Sequence, residues 1–454
     1  MNKIRKFLAS DLGRTIRSSI LSIFLGLFVG LIIMIFICLL NSENSIGDAF
    51  KGIKIIMSGP FSSKIKKYLI NNTGDMIFYA VPLIMTGLSV AIAYKTGLFN
   101  IGAAGQFIMG TIGSLIVALS IKTTTRFEGI LVWVLACGVG MLLGALWGTI
   151  PGILKAFFNI NEVIVCIMTN WIAANIASWI FTYMPNLHSQ ENTKGAYLIK
   201  NLSNYTPKFG LDKLFPGSYI DGGIIFAIII AIIIFIILDK SKLGFSLKAC
   251  GHNRDAARYA GLNEKRNIIL SMGIAGALSG LGACFYYLNP GIEFNYVSQY
   301  SQLPAYGFNG IASAFLANCS PIGIVFTSLF IRYINMGGEY LTKVGFNRYV
   351  ADIIISVIIY SAAFTMIIKS FLKLYWKKIY ERNDKIKRKI QEFKEKRKQK
   401  GGLPPEEVPN QENLIVDIET DNVNSITPSN EEETLQVDSD TKDNLEEKGS
   451  EIDG

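Results

Sequence analysis

Charge is scarce in this chain. Of its 454 residues only 17% are Asp, Glu, Lys or Arg, against roughly 25% in a typical soluble domain. Two histidines, His188 and His252, leave little material for acid–base or metal chemistry. No G-x-x-x-x-G-K-[ST] sequence occurs, so ATP is not held by that loop. Six scattered cysteines, Cys38, Cys137, Cys166, Cys250, Cys284 and Cys319, form no CxxC pair. That excludes a disulfide framework and gives no sign of a zinc site.

What the chain has in quantity is apolar runs of about 20 residues, the signature of membrane spans. They fall at Ile20–Leu40, Met76–Tyr94, Ile101–Ile121, Ile130–Leu154, Glu162–Met184, Gly223–Leu238 and Asn267–Leu288. A broken pair, Tyr306–Ala317 and Ile322–Met336, follows, and the last run is Tyr349–Leu372. The first run is too long for a signal-peptide core and lacks a clear small-residue cleavage site, so it reads as a retained span. The expectation is an all-α, polytopic helical membrane protein with about ten membrane segments. None of these runs carries an Asp or Glu near its middle. Asp75, Glu162 and Asp352 lie at ends, which argues against a proton-coupled carrier, since such carriers need a buried ionisable group.

The net charge of +9 hides two opposed regions. Residues 401–454 hold 16 Asp and Glu against Lys442 and Lys448, leaving 42 basic and 19 acidic residues before them. The first 19 residues carry five bases and one acid, which places them in the cytoplasm by the positive-inside rule. Counting crossings then puts Lys95, Lys155 and the basic stretch Lys240–Arg266 inside, and the Asn41–Asp75 and Pro185–Asp221 connections outside. Both termini are expected in the cytoplasm of a cell-membrane protein. The chain divides into a cytoplasmic N-terminus (1–19), a membrane domain (20–372) with its polar loop (240–266), a Lys- and Glu-rich helix (373–400) and an acidic tail (401–454) whose composition suits disorder.

Three polar features interrupt the apolar pattern. The first is Asn253-Arg-Asp-Ala-Ala-Arg-Tyr-Ala-Gly261. Asn253 is placed to cap a short helix, Asp255 sits in its first turn and Gly261 suits its left-handed end. With Ala256, Ala257 and Ala260 it reads either as an ordinary solvated loop or as a smooth helix that docks on another protein. The other two are Lys95-Thr-Gly-Leu-Phe-Asn-Ile-Gly-Ala-Ala-Gly-Gln106 and Tyr306-Gly-Phe-Asn-Gly-Ile-Ala-Ser313. Their glycines suit tight turns and close helix packing, and their amides suit either packing or a water-filled path. Their comparable places in the two halves hint at an internal duplication around a central pathway.

Four stretches in this order carry a resemblance: Gly97–Gln106, Asn161–Asn170, Ala249–Gly261 and Gly307–Ala312. Over about Met76–Leu372 the chain resembles the permease subunits of bacterial ABC importers in the branched-chain amino acid and simple-sugar superfamily, most of all the nucleoside permeases. The resemblance implies that Asn253, Arg254, Asp255, Ala256, Ala257, Arg258, Tyr259, Ala260 and Gly261 form a coupling helix docking on a cytoplasmic ATPase. It implies a substrate-binding lipoprotein outside and a related second permease as heterodimer partner, with ATP on the ATPase and no cofactor bound by this chain. Relatives usually carry Glu where Ala104 stands, and the acidic tail and the long Pro185–Asp221 loop look atypical.

The leading reading is therefore a transport subunit, not an enzyme, for nucleosides. Asn100, Gln106, Asn170, Tyr306 and Asn309 are the candidates for lining the path, because amides can bond a ribose or a base edge. A simple-sugar permease is the alternative. A stand-alone secondary carrier is disfavoured by the missing core carboxylates, and a membrane enzyme by the lack of any catalytic constellation.

Overall fold

Backbone polar groups inside a bilayer have no water to bond, so an apolar run that crosses it closes its hydrogen bonds within a helix. The computed structural model describes residues 11–40, 45–63, 65–184, 196–197, 205–295, 303–347 and 349–363. They belong to the first of two compact units, Met1–Ser370. The expected helix over 373–400, the tail over 401–454, residues 1–10 and His188 lie outside the described residues.

The helices are α1 (Asp11–Leu40), α2 (Ile46–Ser58), α3 (Lys66–Lys95), α4 (Ala103–Ser120), α5 (Arg126–Phe158), α6 (Glu162–Tyr183), α7 (Leu211–Leu214) and α8 (Gly223–Lys240). After them come α9 (Lys242–His252), α10 (Arg254–Tyr259), α11 (Glu264–Tyr287), α12 (Ala305–Leu316), α13 (Pro321–Glu339) and α14 (Tyr349–Ala363). Strands β1 (Ala196–Tyr197) and β2 (Phe294–Asn295) pair antiparallel.

All ten expected apolar segments appear as helices among the described residues, the last of them, expected over Tyr349–Leu372, as far as Ala363. Among the described residues, seven helices are long and apolar enough to cross alone, or eight crossings if the bent pair counts as one span. The eighth and ninth segments, α12 and α13, are two arms of a pair bent by 119°. The reason is length: the 12 residues of α12 rise only about 18 Å, short of a hydrocarbon core of about 30 Å. The bend falls at Asn318 and Cys319, both with φ of +53°.

Two connections carry helices of their own. Asn41–Asp75 contains α2 and the first turns of α3. Helix α2 starts where the Ser45 N–H donates to Asp48 Oδ2 (3.0 Å), which satisfies an N-terminal backbone group. In Lys240–Arg266 the expected short helix is present as α10, and α9 precedes it. Ser241 caps α9 by accepting from the Gly244 N–H (3.1 Å).

Helix α3 lies at the centre, its apolar window 83% buried, whereas the more apolar α8 is only 28% buried in its own. Hydropathy marks both as spans but does not tell a protein-facing helix from a lipid-facing one. Helices α5 and α11 approach through small residues: a methyl group on Gly144 would sit 2.5 Å from the Gly276 carbonyl oxygen. Such contact replaces the hydrophobic driving force that is missing between helices in lipid. The chain ends of the bundle sort consistently. Lys95, Glu162, Lys248 and His252 share one end, and Asp75, Tyr219, Asp221 and Asn289 the other.

Candidate functional site

The turn between α3 and α4 folds because Gly97 takes φ of +75°, which costs a side-chain-bearing residue more than glycine. It delivers Asn100 beside the first turn of α4. Asn100 Nδ2 donates to Gln106 Oε1 (2.9 Å), and Gln106 Nε2 donates back to Asn100 Oδ1 (3.1 Å). Asn100 Nδ2 also lies 3.0 Å from Ser89 Oγ. Asn170, arriving on α6, accepts from the Gly105 N–H (2.7 Å) and donates to the Ile101 carbonyl (3.1 Å). All three amides are buried. Three of the five residues expected along the path are thus brought together, but as a clasp whose bonds are taken up within the protein.

Tyr306 and Asn309 are elsewhere, one turn apart on α12 and both partly exposed. The Tyr306 carbonyl accepts from Thr86 Oγ1 (2.9 Å), which ties the start of α12 to the middle of α3. Its ring joins a cluster fed by five helices. Tyr306 lies 4.8 Å from Tyr286 and 6.1 Å from Phe107, and Tyr286 lies 6.2 Å from Tyr79. The Arg332 guanidinium, from α13, rests over the Tyr79 ring at 4.9 Å. Arg332 Nε and, one turn on, Asn335 Oδ1 are buried and have no hydrogen-bond partner among the described residues. Neither residue was singled out from the sequence. The signal was present: Arg332 is a charge inside the apolar run Ile322–Met336, and an intramembrane charge marks function by default.

At the Asp75 end, Asp221 is enclosed just before α8. It accepts from Asn289 Nδ2 (2.8 Å) and from the Gly223 N–H (2.8 Å). Loss of solvent outweighs both bonds and pushes its carboxyl up to about 7.

At the Lys95 end, α10 forms as its residues dictate. Asn253 Oδ1 accepts from the Ala256 N–H (3.0 Å), Asp255 sits in the first turn, and Gly261 takes φ of +79°. Arg258 reaches Asp255 (3.3 Å) and Glu264 (3.1 Å), while Arg254 Nη2 approaches the Gly97 carbonyl at 3.5 Å. Ala257 packs inward, whereas Ala256 and Ala260 face out and Tyr259 is 92% exposed. Beside the helix is a cavity of about 530 Å³ lined by Lys95, Gly97, Phe99, Glu162, Lys248 and His252. Among the described residues no cluster of His, Cys, Asp or Glu could hold a metal ion.

The family described as the permease component of branched-chain amino acid transport systems matches residues 72–363, which take in the clasp, the ring cluster and α10. The chain belongs to that permease family. This permease is 38% identical over 301 residues to the nucleoside ABC transporter permease protein NupB of Lactococcus lactis subsp. cremoris, covering 66% of this chain and 81% of the relative. It is 35% identical to the guanosine ABC transporter permease protein NupP of Bacillus subtilis, covering 63% and 79%. It is also 24% identical to a second Lactococcus protein, the nucleoside ABC transporter permease protein NupC, covering 56% and 78%. No solved structure was found to match. The permease is a multi-pass membrane protein and the membrane-spanning subunit of an ABC importer, a class that works with an ATPase and a substrate-binding protein.

Proposed function

We propose that this permease carries nucleosides into the cell, driven by ATP hydrolysed on a separate cytoplasmic ATPase. The observation that carries the reading is its 35–38% identity, across most of the permease region, to two relatives named for nucleosides and guanosine. The ring cluster suits the same substrate, since a nucleobase is flat and apolar on its faces and polar along its edge.

In this reading the end bearing Lys95 and α10 faces the cytoplasm together with both termini. The ATPase seats on the outward side of Asn253–Gly261, chiefly Tyr259, and its closure tilts the spans between outward- and inward-open states by binding one better than the other. Tyr306 and Asn309 stand on the path. Asn100, Gln106 and Asn170 back it by fixing the α3–α4 turn. Likeness to two different permeases of one organism supports a related second permease as partner, and a binding protein outside delivers the substrate.

The test is co-purification from native membranes together with uptake of labelled guanosine. An ATPase and a second permease are expected in the complex. Tyr259→Ala is expected to leave thermal unfolding of this chain within about 0.5 kcal/mol, as for a surface change, and to weaken ATPase retention and uptake together. Ala257→Glu, which places a charge on the buried side of α10, is expected to abolish both. Nucleotide-independent uptake by this chain alone would refute the importer reading.

A further inference from the structure

Helix α2 is 13 residues long and rises about 20 Å, too short to cross a hydrocarbon core of about 30 Å. It lies instead across one end of the bundle. Ala49, Gly52 and Ile56 make its buried face. Gly52 abuts α1, where a methyl group would sit 2.8 Å from Met34 Sδ. Toward its other end the Met57 carbonyl accepts from Tyr333 Oη of α13 (2.6 Å). Just beyond, Asn72 Nδ2 of α3 donates to the Pro60 carbonyl (3.4 Å), so α2 belongs to the end that holds Asp75.

The rest of the helix surface divides into two stripes. Ile46, Phe50 and Met57 are exposed and Ile53 is half-buried. Their spacing of i, i+4, i+11 and i+7 sets them along one line of the helix. Lys51 and Lys54 are exposed as well. At about 100° per residue they project beside that line, on the side away from the buried face. Large apolar side chains stay exposed after the helix, at Phe61, Ile65 and Tyr68, and the apolar window of α1 before it is only 22% buried.

Charge decides what covers this surface. Residues 46–67 hold five lysines and one acid, Asp48, whose Oδ1 meets Lys51 Nζ at 2.8 Å. In the orientation proposed above this end lies outside, where the positive-inside bias gives no reason for lysines. Lysine is depleted from protein–protein interfaces. An apolar stripe flanked by lysines is instead how a helix lies in a membrane surface, with rings and methyl groups among the acyl chains and ammonium groups at the headgroups. Zwitterionic headgroups carry no net charge to balance so one-sided an excess, and anionic ones do.

We infer that α2 is an interfacial helix that gathers anionic phospholipid at the Asp75 end of the bundle. Ile46, Phe50 and Met57 sit among its acyl chains, and Lys51 and Lys54 meet its headgroups. The inference rests on placement in a membrane and on no substrate.

The experiment uses the full-length chain in lipid nanodiscs, which leave both membrane faces accessible, alone and with the subunits that co-purify with it. All six cysteines are buried, so Phe50→Cys, at an exposed position, supplies the thiol for a bimane fluorophore. Phosphatidylcholine discs are doped with nitroxide-tailed phosphatidylglycerol or, separately, with nitroxide-tailed phosphatidylcholine. Both lipids should quench the fluorophore. The anionic one should do so as if enriched at least about fivefold, the scale of one lysine at an anionic surface. Adding Lys51→Gln with Lys54→Gln, or about 0.5 M salt, should bring the two lipids to within about twofold of each other. Met57→Cys, on the same stripe, decides if Phe50→Cys does not fold. Quenching by neither lipid in the chain alone overturns the inference, since the stripe then faces water. Loss of quenching once the co-purifying subunits are present overturns it too, since a protein then covers the stripe. Equal quenching by both lipids, or a preference that survives removal of both lysines, overturns the headgroup recognition.

Discussion

The clasp around Asn100 and the cluster around Arg332 sit in the same bundle, draw on similar polar side chains and are in opposite states. In the clasp, two amides bond each other and a third closes on backbone groups of the α3–α4 turn. In the cluster, a donor and an acceptor one helical turn apart on α13 bond nothing among the described residues. Buried polarity in a membrane protein therefore has two uses. Where every bond is closed, removing a member damages the fold. Where bonds are open, removing a member costs the fold little.

That contrast can be broken most forcefully at Asn170. Asn170→Leu strands the Gly105 N–H and the Ile101 carbonyl, each worth about 1–3 kcal/mol when left unpaired. Unfolding in detergent should show a loss of about 2–6 kcal/mol, and a loss below about 1 kcal/mol would mean that the clasp is not a structural lock. Asn100→Leu should fall in the same direction through Gln106 and Ser89.

Asp221 sharpens the comparison because it lies between the two states, fully enclosed but only partly compensated. Its carboxyl is raised to about 7, so the folded chain holds a proton there that the unfolded chain gives up near pH 4. Its contribution is fully present below about pH 4 and is lost as the pH climbs toward 7, by up to about 4 kcal/mol. Thermal unfolding measured across that window should slope downward with pH. Asp221→Asn should flatten the slope, and an unchanged slope would show that another group titrates.

The smallest effect is expected in the open cluster. Asn335→Leu removes an acceptor that bonds nothing, so stability should change by less than about 1 kcal/mol, in either direction. A loss comparable to Asn170→Leu would erase the distinction between the two clusters.

The sequence by itself determined whatever depends on a segment and its immediate neighbours. The scarcity of charge and the long apolar runs established a helical membrane protein, because each span satisfies its own backbone. The short helix α10 was readable almost to the residue, since Asn253, Asp255 and Gly261 act within a few positions of one another. The glycine-rich turn at Gly97 was legible for the same reason. Tertiary structure decided what joins distant residues. That Asn170 closes on Gly105 spans 65 positions, and that Arg332 rests on Tyr79 joins α13 to α3. Which amides are closed and which polar atoms stay open depends on partners brought together only when α3, α4, α6 and α13 pack. The same holds for the 119° bend between α12 and α13, and for the exposure of Ile-rich α8 beside the buried α3. Hydropathy records a residue's preference for leaving water, and lipid and protein interior satisfy it equally well.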